Sequence, residues 1–297
     1  MVELNQTRRG EPNYLQGFGG DSSNVVIAAA RQGARTAYVT RIGDDDFGRM
    51  FLALWKVEGV DTSGVGIDPH AHTGVYFVTH GPLGHAFNYL RAGSAASRMR
   101  AEDLPLELIR TARCVHASGI SMAISASARE AVFAAFEAAR AAGATLSFDP
   151  NLRLSLWPLE QARAAIAAAA RMADHFFPSI EDARALSGLD EADAIVAWAH
   201  GLGAKAVFLK LGPEGALVSD GRRREHIDGF RVNAVDATGA GDCFCGATLA
   251  RIAAGDSVFE AGRYATAAAA LATTGFGAVA PLPRPDAVRR LLATRPA

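Results

Sequence analysis

The chain has 297 residues, 49% hydrophobic and 21% charged, with a formal net charge of -1 and a pI near 6.7. That composition can bury a sizeable core in one large domain or at most two, and it leaves no basic field for nucleic acid or an anionic membrane. The opening MVELNQTRRGEPNY lacks an apolar signal core, and the longest apolar stretch, around 162–173, is interrupted by Arg163 and Arg171 and is too short for a bilayer.

Residues 22–32 are predicted to form a helix that Ser22 and Ser23 can cap and Gly33 can end. A β-rich run follows at 36–42 (TAYVTRI), then a helix at 46–56 with Gly59 just past its end. The runs at 73–79 (TGVYFVT) and 85–91 (HAFNYLR), joined by GPLG, read as a β-hairpin with no intervening helix. Further strands are expected at Cys114–Ser118, 145–148, 175–177 and 206–211, alternating with helices at 126–142, Leu159–Met172 and 191–200. Helices at 241–254, 258–273 and Pro285–Ala293 close the chain. This rhythm predicts an α/β fold: a mostly parallel central sheet with helices on both faces, and ligands bound outside the carboxyl ends of its strands. The hairpin and the N-terminal run, about 1–18 and 72–92, would form a small discontinuous β-sheet lid on a single domain spanning 1–297. Exposed strands of that kind invite pairing with a second copy, so a homo-oligomer through the lid is expected.

Cys114, Cys243 and Cys245 have no framework or C-x-x-C spacing and read as small core hydrophobes, which fits a reducing cytoplasm. There is no G-x-x-x-x-G-K-[ST] and no H-E-x-x-H, and the glycines at 17–20 follow no Rossmann pattern. His70 and His72 stand in a loop-like stretch without further ligands and read as solvated.

The richest stretch is 235–246, VDATGAGDCFCG. Its small residues allow close backbone approach, and a helical pattern starts at once, so amides at the helix start make an anion site. Asp242 lies in that first turn, where a carboxylate can take a proton from a hydroxyl. On glycine content alone, the stretch reads more readily as a punctuating turn whose Asp stabilises the helix dipole.

DATGAGD resembles the D-T-x-G-A-G-D motif of the ribokinase/PfkB carbohydrate kinases. GGDSSN at 19–24, RIGDDDFG at 41–48 and KLGPEGALV at 210–218 resemble further motifs of that family, and together they cover nearly the whole chain. The resemblance implies a ribokinase-like fold and an enzyme that moves the γ-phosphoryl group of ATP to a sugar hydroxyl with Mg2+, and with a monovalent cation in some members. It implies Asp242 as general base and the amides of Gly239, Ala240 and Gly241 as the anion hole. Gly20 and Asn24 would hold sugar hydroxyls, and Lys210 and Gly212, with Gly239 and Gly241, would lie against the nucleotide. The N-x-x-E motif of the family falls on Pro178-Ser179-Ile180-Glu181, so proline replaces its Asn while Glu181 keeps a carboxylate for magnesium held through water. Asp182 reads as a helix N-terminal charge.

Within the family, GVYFVTHGPLGHAFNYLRAGSAAS and FDPNLR are similar to 2-keto-3-deoxygluconate kinases. That likeness implies that Tyr76, Tyr89, Arg91 and Arg153 surround a sugar acid, whose carboxylate guanidinium groups hold by paired hydrogen bonds. The alternatives are a fructokinase or ribokinase acting on a neutral sugar, and a non-catalytic sugar- or nucleotide-binding relative. The chain opens partway into what resembles the family's first strand, which makes the N-terminus short relative to that pattern and bears on the substrate floor near Glu3 and Asn5.

Overall fold

The structure is a computed structural model that describes residues 1–81 and 84–294; Pro82 and Leu83 of the expected GPLG turn lie outside them. The chain begins with β1 (Val2–Gln6), β2 (Tyr14–Phe18), α1 (Asp21–Arg31), β3 (Thr40–Gly43), α2 (Asp46–Val57) and β4 (Val65–Asp68). It continues with β5 (Val75–Gly81), β6 (Gly84–Leu90), α3 (Leu106–Thr111), β7 (Cys114–Ser118), α4 (Gly119–Ala123), α5 (Ala126–Ala141) and β8 (Thr145–Asp149). Then come α6 (Leu159–Met172), β9 (His175–Phe176), α7 (Ile180–Ser187), α8 (Ala192–Leu202), β10 (Ala206–Lys210), β11 (Gly215–Ser219) and β12 (Arg224–Asp228). Three helices close it: α9 (Ala240–Ala254), α10 (Val258–Ala272) and α11 (Pro285–Ala293).

The central sheet has the order β12-β11-β10-β9-β8-β7. Strands β7 to β10 are parallel, and β11 and β12 extend the sheet as an antiparallel hairpin, so it is mixed. Alternate residues of β10 point to opposite faces, as strand geometry requires. Ala206 and Phe208 join the core under α1, α2, α9 and α10, while Val207 and Leu209 join the one under α5, α6 and α8. Two apolar layers therefore clamp one sheet, the arrangement expected of an α/β domain.

The second sheet is small and separate, in the order β2-β1-β5-β6. Its strands come from the N-terminal run and the hairpin, with β1 parallel to β5 and the outer pairs antiparallel. The 36–42 run behaves differently from a strand of the central sheet. Only Thr40–Gly43 forms a strand, and it pairs with β4 alone in a two-stranded sheet. In the RIGDDDFG motif, Asp45 caps α2 by accepting from Gly48 N at 2.7 Å and ties the start of the small sheet by accepting from Thr73 N at 2.7 Å. No helix among the described residues is long and apolar enough to cross a membrane.

Helices α1 and α9 pack closely because Gly246 has no side chain. A Cβ there would fall 2.4 Å from Val25 O and 2.7 Å from Ala28 Cβ. Gly246→Ala is expected to push the helices apart, cost about 1–3 kcal/mol of stability, and pull Asn24 away from Asp242. Thermal unfolding and turnover should fall together in that variant.

Candidate active site

The 235–239 loop is held before α9 begins. Asp236 Oδ1 accepts from Thr238 N at 2.9 Å and from Thr238 Oγ1 at 2.6 Å, and Asp236 Oδ2 accepts from Gly277 N at 2.9 Å. Gly239 caps α9 at φ 76, a left-handed conformation that costs glycine nothing, and it presses against Ala278 with no room for a Cβ. Ala240 N donates back to Ala237 O at 3.2 Å. The amides of Gly239 and Gly241 have no such acceptor among the described residues. Of the three expected anion-hole amides, Ala240 is thus already engaged within the loop.

Asp242 is buried in the first turn of α9, and Asn24 Nδ2 donates to its Oδ2 at 2.7 Å. Burial pushes its carboxyl up to about 7 from the usual carboxylate range. The Asn24 hydrogen bond opposes that rise, Asp21 and Asp149 add to it, and Lys210 counters it. The carboxylate is therefore poised near neutrality, as a hydroxyl-activating base needs to be.

Lys210 ends β10 and donates from Nζ to Asp149 Oδ2 at 2.6 Å, at the carboxyl end of β8. Its Nζ lies 3.4 Å from where a Cβ on Gly241 would stand, so a fixed ammonium sits against the start of α9. Burial alone would lower its pKa, but Asp149 beside it raises it above the ordinary lysine value. Lys210 is thus a largely buried, paired cation and not a surface charge. Gly212 follows in an exposed turn just beyond β10. Asp149 also accepts from Asn151 N at 3.0 Å, in a D-P-N-L-R loop where Asn151 has φ 34.

On the other side of the cleft, Gly20 caps α1 at φ 132 and Asp21 opens it. Ser118 and Ser22 both donate to Asp21 Oδ2, the latter at 3.1 Å. Tyr76 donates its hydroxyl to Glu3 in a buried contact beside Gly19; burial, then the Glu3 charge, push that phenol far above its ordinary range. The rings of Tyr76 and Tyr89 are 5.8 Å apart, and the Arg91 guanidinium lies 5.6 Å over Tyr89. Burial lowers the Arg91 pKa while Asp21 opposes the shift. No carboxylate among the described residues lies within ion-pair distance of Arg91.

Two expected residues are exposed. Arg153 donates from Nη1 to its own Leu152 O at 2.8 Å, and its charge reaches both Arg91, whose pKa it helps to lower, and Asp182. Glu181 is exposed on the first turn of α7, whereas its neighbour Asp182 faces inward. Burial and then the Asp149 charge raise Asp182, and Lys210 counters them, so Asp182 belongs to the Asp149–Lys210 cluster. Its backbone N donates to Ser179 Oγ at 3.0 Å, which fixes the turn. Asp182, Asp149, Asp21 and Ser118 were not singled out as site residues from the sequence. Their common signal was position: each sits at or just after the carboxyl end of a strand or in a helix's first turn. Among the described residues no group of three or more His, Cys, Asp or Glu is placed to hold a metal ion.

The profile of the pfkB family carbohydrate kinases matches residues 2–285. A probable fructokinase-4 of Arabidopsis thaliana is 38% identical over 293 residues, covering 95% of this chain and 89% of that protein. The fructokinase of Xylella fastidiosa with bound ATP superposes with a TM-score of 0.92 at 26% identity, over 99% of this chain and 96% of the other. The fructokinase of Vibrio cholerae O395, bound to fructose, ADP and calcium, gives 0.88 at 29% identity, over 98% and 96%. These relatives are named fructokinases, where the hairpin and FDPNLR had pointed to 2-keto-3-deoxygluconate kinases. A motif-bearing loop, an extended family match and the shared fold agree: the chain belongs to the pfkB family of carbohydrate kinases and is a sugar kinase.

Proposed function

We propose that the chain transfers the γ-phosphoryl group of ATP to a primary hydroxyl of fructose. The observation that carries this reading is a buried, near-neutral carboxylate, Asp242, set directly beside the open amides at the start of α9. Asp242 takes the hydroxyl proton while Asn24 holds its carboxylate in place. The Gly239 and Gly241 amides and the α9 dipole meet the charge that develops on the moving phosphoryl group. Lys210, anchored by Asp149, adds a fixed positive charge below the loop, and the nucleotide extends toward Gly212. Gly20, Asp21 and Tyr76 line the sugar side.

Solved neighbours hold ATP with magnesium, and fructose with ADP and calcium or potassium ions. In this chain Asp182 is the inward carboxylate that fits a magnesium held largely by phosphates and water, with Glu181 directed outward. The ion would neutralise charge on the β- and γ-phosphates. Leu15 and Leu90 are exposed on the outer strands of the small sheet, which supports pairing with a second copy there. Three free cysteines accord with a reducing cytoplasm.

A second reading, a 2-keto sugar acid such as 2-keto-3-deoxygluconate, is favoured by one observation: Arg91 is largely enclosed, and among the described residues no carboxylate lies within ion-pair distance of it. ATP consumption with fructose, 2-keto-3-deoxygluconate, ribose or no sugar separates the two. Turnover with fructose, kept within a few-fold in Arg91→Met, is the expected result. Turnover confined to the sugar acid, with a loss of about 10²-fold in kcat/KM on the same substitution, transfers the assignment to the second reading.

A further inference from the structure

Arg31 closes α1, where a basic side chain suits the negative end of the helix dipole and would ordinarily reach into solvent. Instead it is only 11% exposed and lies against Glu58, the residue just past α2, which is 7% exposed. Arg31 Nε donates to Glu58 Oε2 at 2.9 Å and Nη2 to Glu58 Oε1 at 2.7 Å, a paired geometry that fixes the plane of the guanidinium. Those hydrogen bonds hold the Glu58 carboxyl below its usual range, so the pair is ionised.

The third guanidinium nitrogen faces another segment. Arg31 Nη1 donates to Leu282 O at 2.6 Å and Val279 O at 2.9 Å, with Ala280 O at 3.4 Å. The next side chain adds to the set: Gln32 Nε2 donates to Pro283 O at 2.7 Å, and its Oε1 accepts from the Tyr264 hydroxyl at 2.7 Å. Residues 273–284 link α10 to α11 with no helix or strand of their own. Among the described residues, the carbonyls of Ala280, Leu282 and Pro283 accept from no backbone amide. The end of α1 therefore supplies hydrogen bonds that regular structure would otherwise provide.

The same segment props the loop before α9. Gly277 N donates to Asp236 Oδ2, whose other oxygen ties Thr238, and Ala278 fills the space that a Cβ on Gly239 would need. A path of direct contacts thus runs from Glu58 through Arg31 to 279–282, on to 277–278, and ends at the amides beside Asp242. Asn24, which holds the Asp242 carboxylate, stands on the same helix two turns earlier. One helix grips the base with one side chain and the anion loop with another.

We propose that Arg31 is a positioning residue for phosphoryl transfer: it sets the 277–282 segment, and through it the Gly239 and Gly241 amides, against the moving phosphoryl group. The assignment rests on the phosphoryl-transfer reading of the α9 loop and is independent of which sugar is the acceptor.

The test compares the parent with Arg31→Lys, with Arg31→Met joined to Glu58→Gln, and with Arg140→Met. Lysine keeps a charge for Glu58, which also has Arg284 at 3.7 Å, but one ammonium cannot serve both the carboxylate and the carbonyls. The double variant removes both charges at once, which a buried pair tolerates far better than the loss of one partner. Arg140 pairs with Asp174 at the amino ends of the parallel strands, so its loss destabilises the fold away from the site. In both Arg31 variants kcat is expected to fall about 10²-fold, the scale for ångström-size misplacement of reacting groups, with the sugar KM little changed. Amide exchange at Gly277 should speed up while exchange within α9 stays slow. Arg140→Met should lower the melting temperature and leave kcat alone. Parent-like kcat and parent-like exchange at Gly277 in a folded Arg31 variant overturn the proposal. A rise in sugar KM at constant kcat does the same, since Arg31 then serves the sugar side, as does an equal fall of kcat in Arg140→Met, which makes the effect one of stability. A parent that turns over no sugar counts against the phosphoryl-transfer reading instead, and exchange at Gly277 then decides the Arg31 assignment by the same criterion.

Discussion

Asp242→Asn lowers turnover by roughly 10²–10⁴, the range for loss of a positioned general base, while sugar and nucleotide still bind. The amide keeps the size of the carboxylate and can still meet Asn24, so the fold and the anion site survive. What is lost is the acceptor for the hydroxyl proton. Stability should move the opposite way. The folded carboxyl sits at about 7 against an ordinary 3.8, so ionising it in place works against folding. Unfolding releases it to water, where it ionises more readily. The sign follows: between these values the native state holds the extra proton, and stability falls as pH rises through the window. Above pH 7 the penalty is about 4 kcal/mol. The Asn variant is therefore expected to melt higher than the parent at pH 8, by a margin that shrinks as pH drops toward 4. Single-turnover phosphoryl transfer and calorimetry at both pH values check the two halves. Parent-like turnover removes Asp242 from the base role, and a pH-independent melting difference removes the buried ionised carboxylate.

A gain in stability joined to a loss of activity identifies strain kept for chemistry. It also explains how much of the site could be read in advance. The glycine-rich loop and Asp242 lie within a few residues of each other, and their local chemistry shows in the sequence. The rest is assembled over distance. Asn24 and Asp242 are 218 positions apart, Ser118 and Asp21 are 97 apart, and Lys210 and Asp149 are 61 apart. No periodicity signals such pairs; only strand order brings them together. For the same reason Asp182, which reads as a helix-end charge, is drawn into the cluster.

The fold divides along a similar line. Cys114–Ser118 stands where the apolar run predicts it, because β-rich strands buried in a parallel sheet leave a plain signature. The helices α6 and α11 match their expected limits, since helical spacing and a leading proline mark them. The β11–β12 hairpin went unread. β11 is buried at all five positions and β12 is largely polar at the sheet edge, so neither shows the alternation of a half-buried strand. Residues 36–42 read as one β-rich run, yet only Thr40–Gly43 forms a strand, and it pairs with β4 in a separate two-stranded sheet.

The second large effect is expected at the Asp149–Lys210 pair. Asp149 is 2% exposed and Lys210 14%, so their charges face little solvent. Among the described residues, Lys210→Met leaves a buried carboxylate with the Asn151 amide and the Cys245 thiol as the donors to its side chain. Removing one partner of such a pair costs about 3–5 kcal/mol, a fall in Tm on the order of 10 °C for a chain of this size. Asp149→Asn with Lys210→Met removes both charges and should recover most of that loss. Catalysis should not recover with it. Lys210 is also the charge that holds Asp242 down, so without it the Asp242 carboxyl rises further. Because Asp242 must be ionised to act, kcat/KM in the parent should climb through about pH 7, and in Lys210→Met the same limb should lie at higher pH. In the double variant Asp149, which raises Asp242, is gone too, so the limb moves back while the phosphoryl group still lacks its ammonium. Stability restored with turnover still low is the signature of a lysine that serves both the fold and the reaction. Full recovery of turnover in the double variant makes Lys210 a structural counter-ion and nothing more.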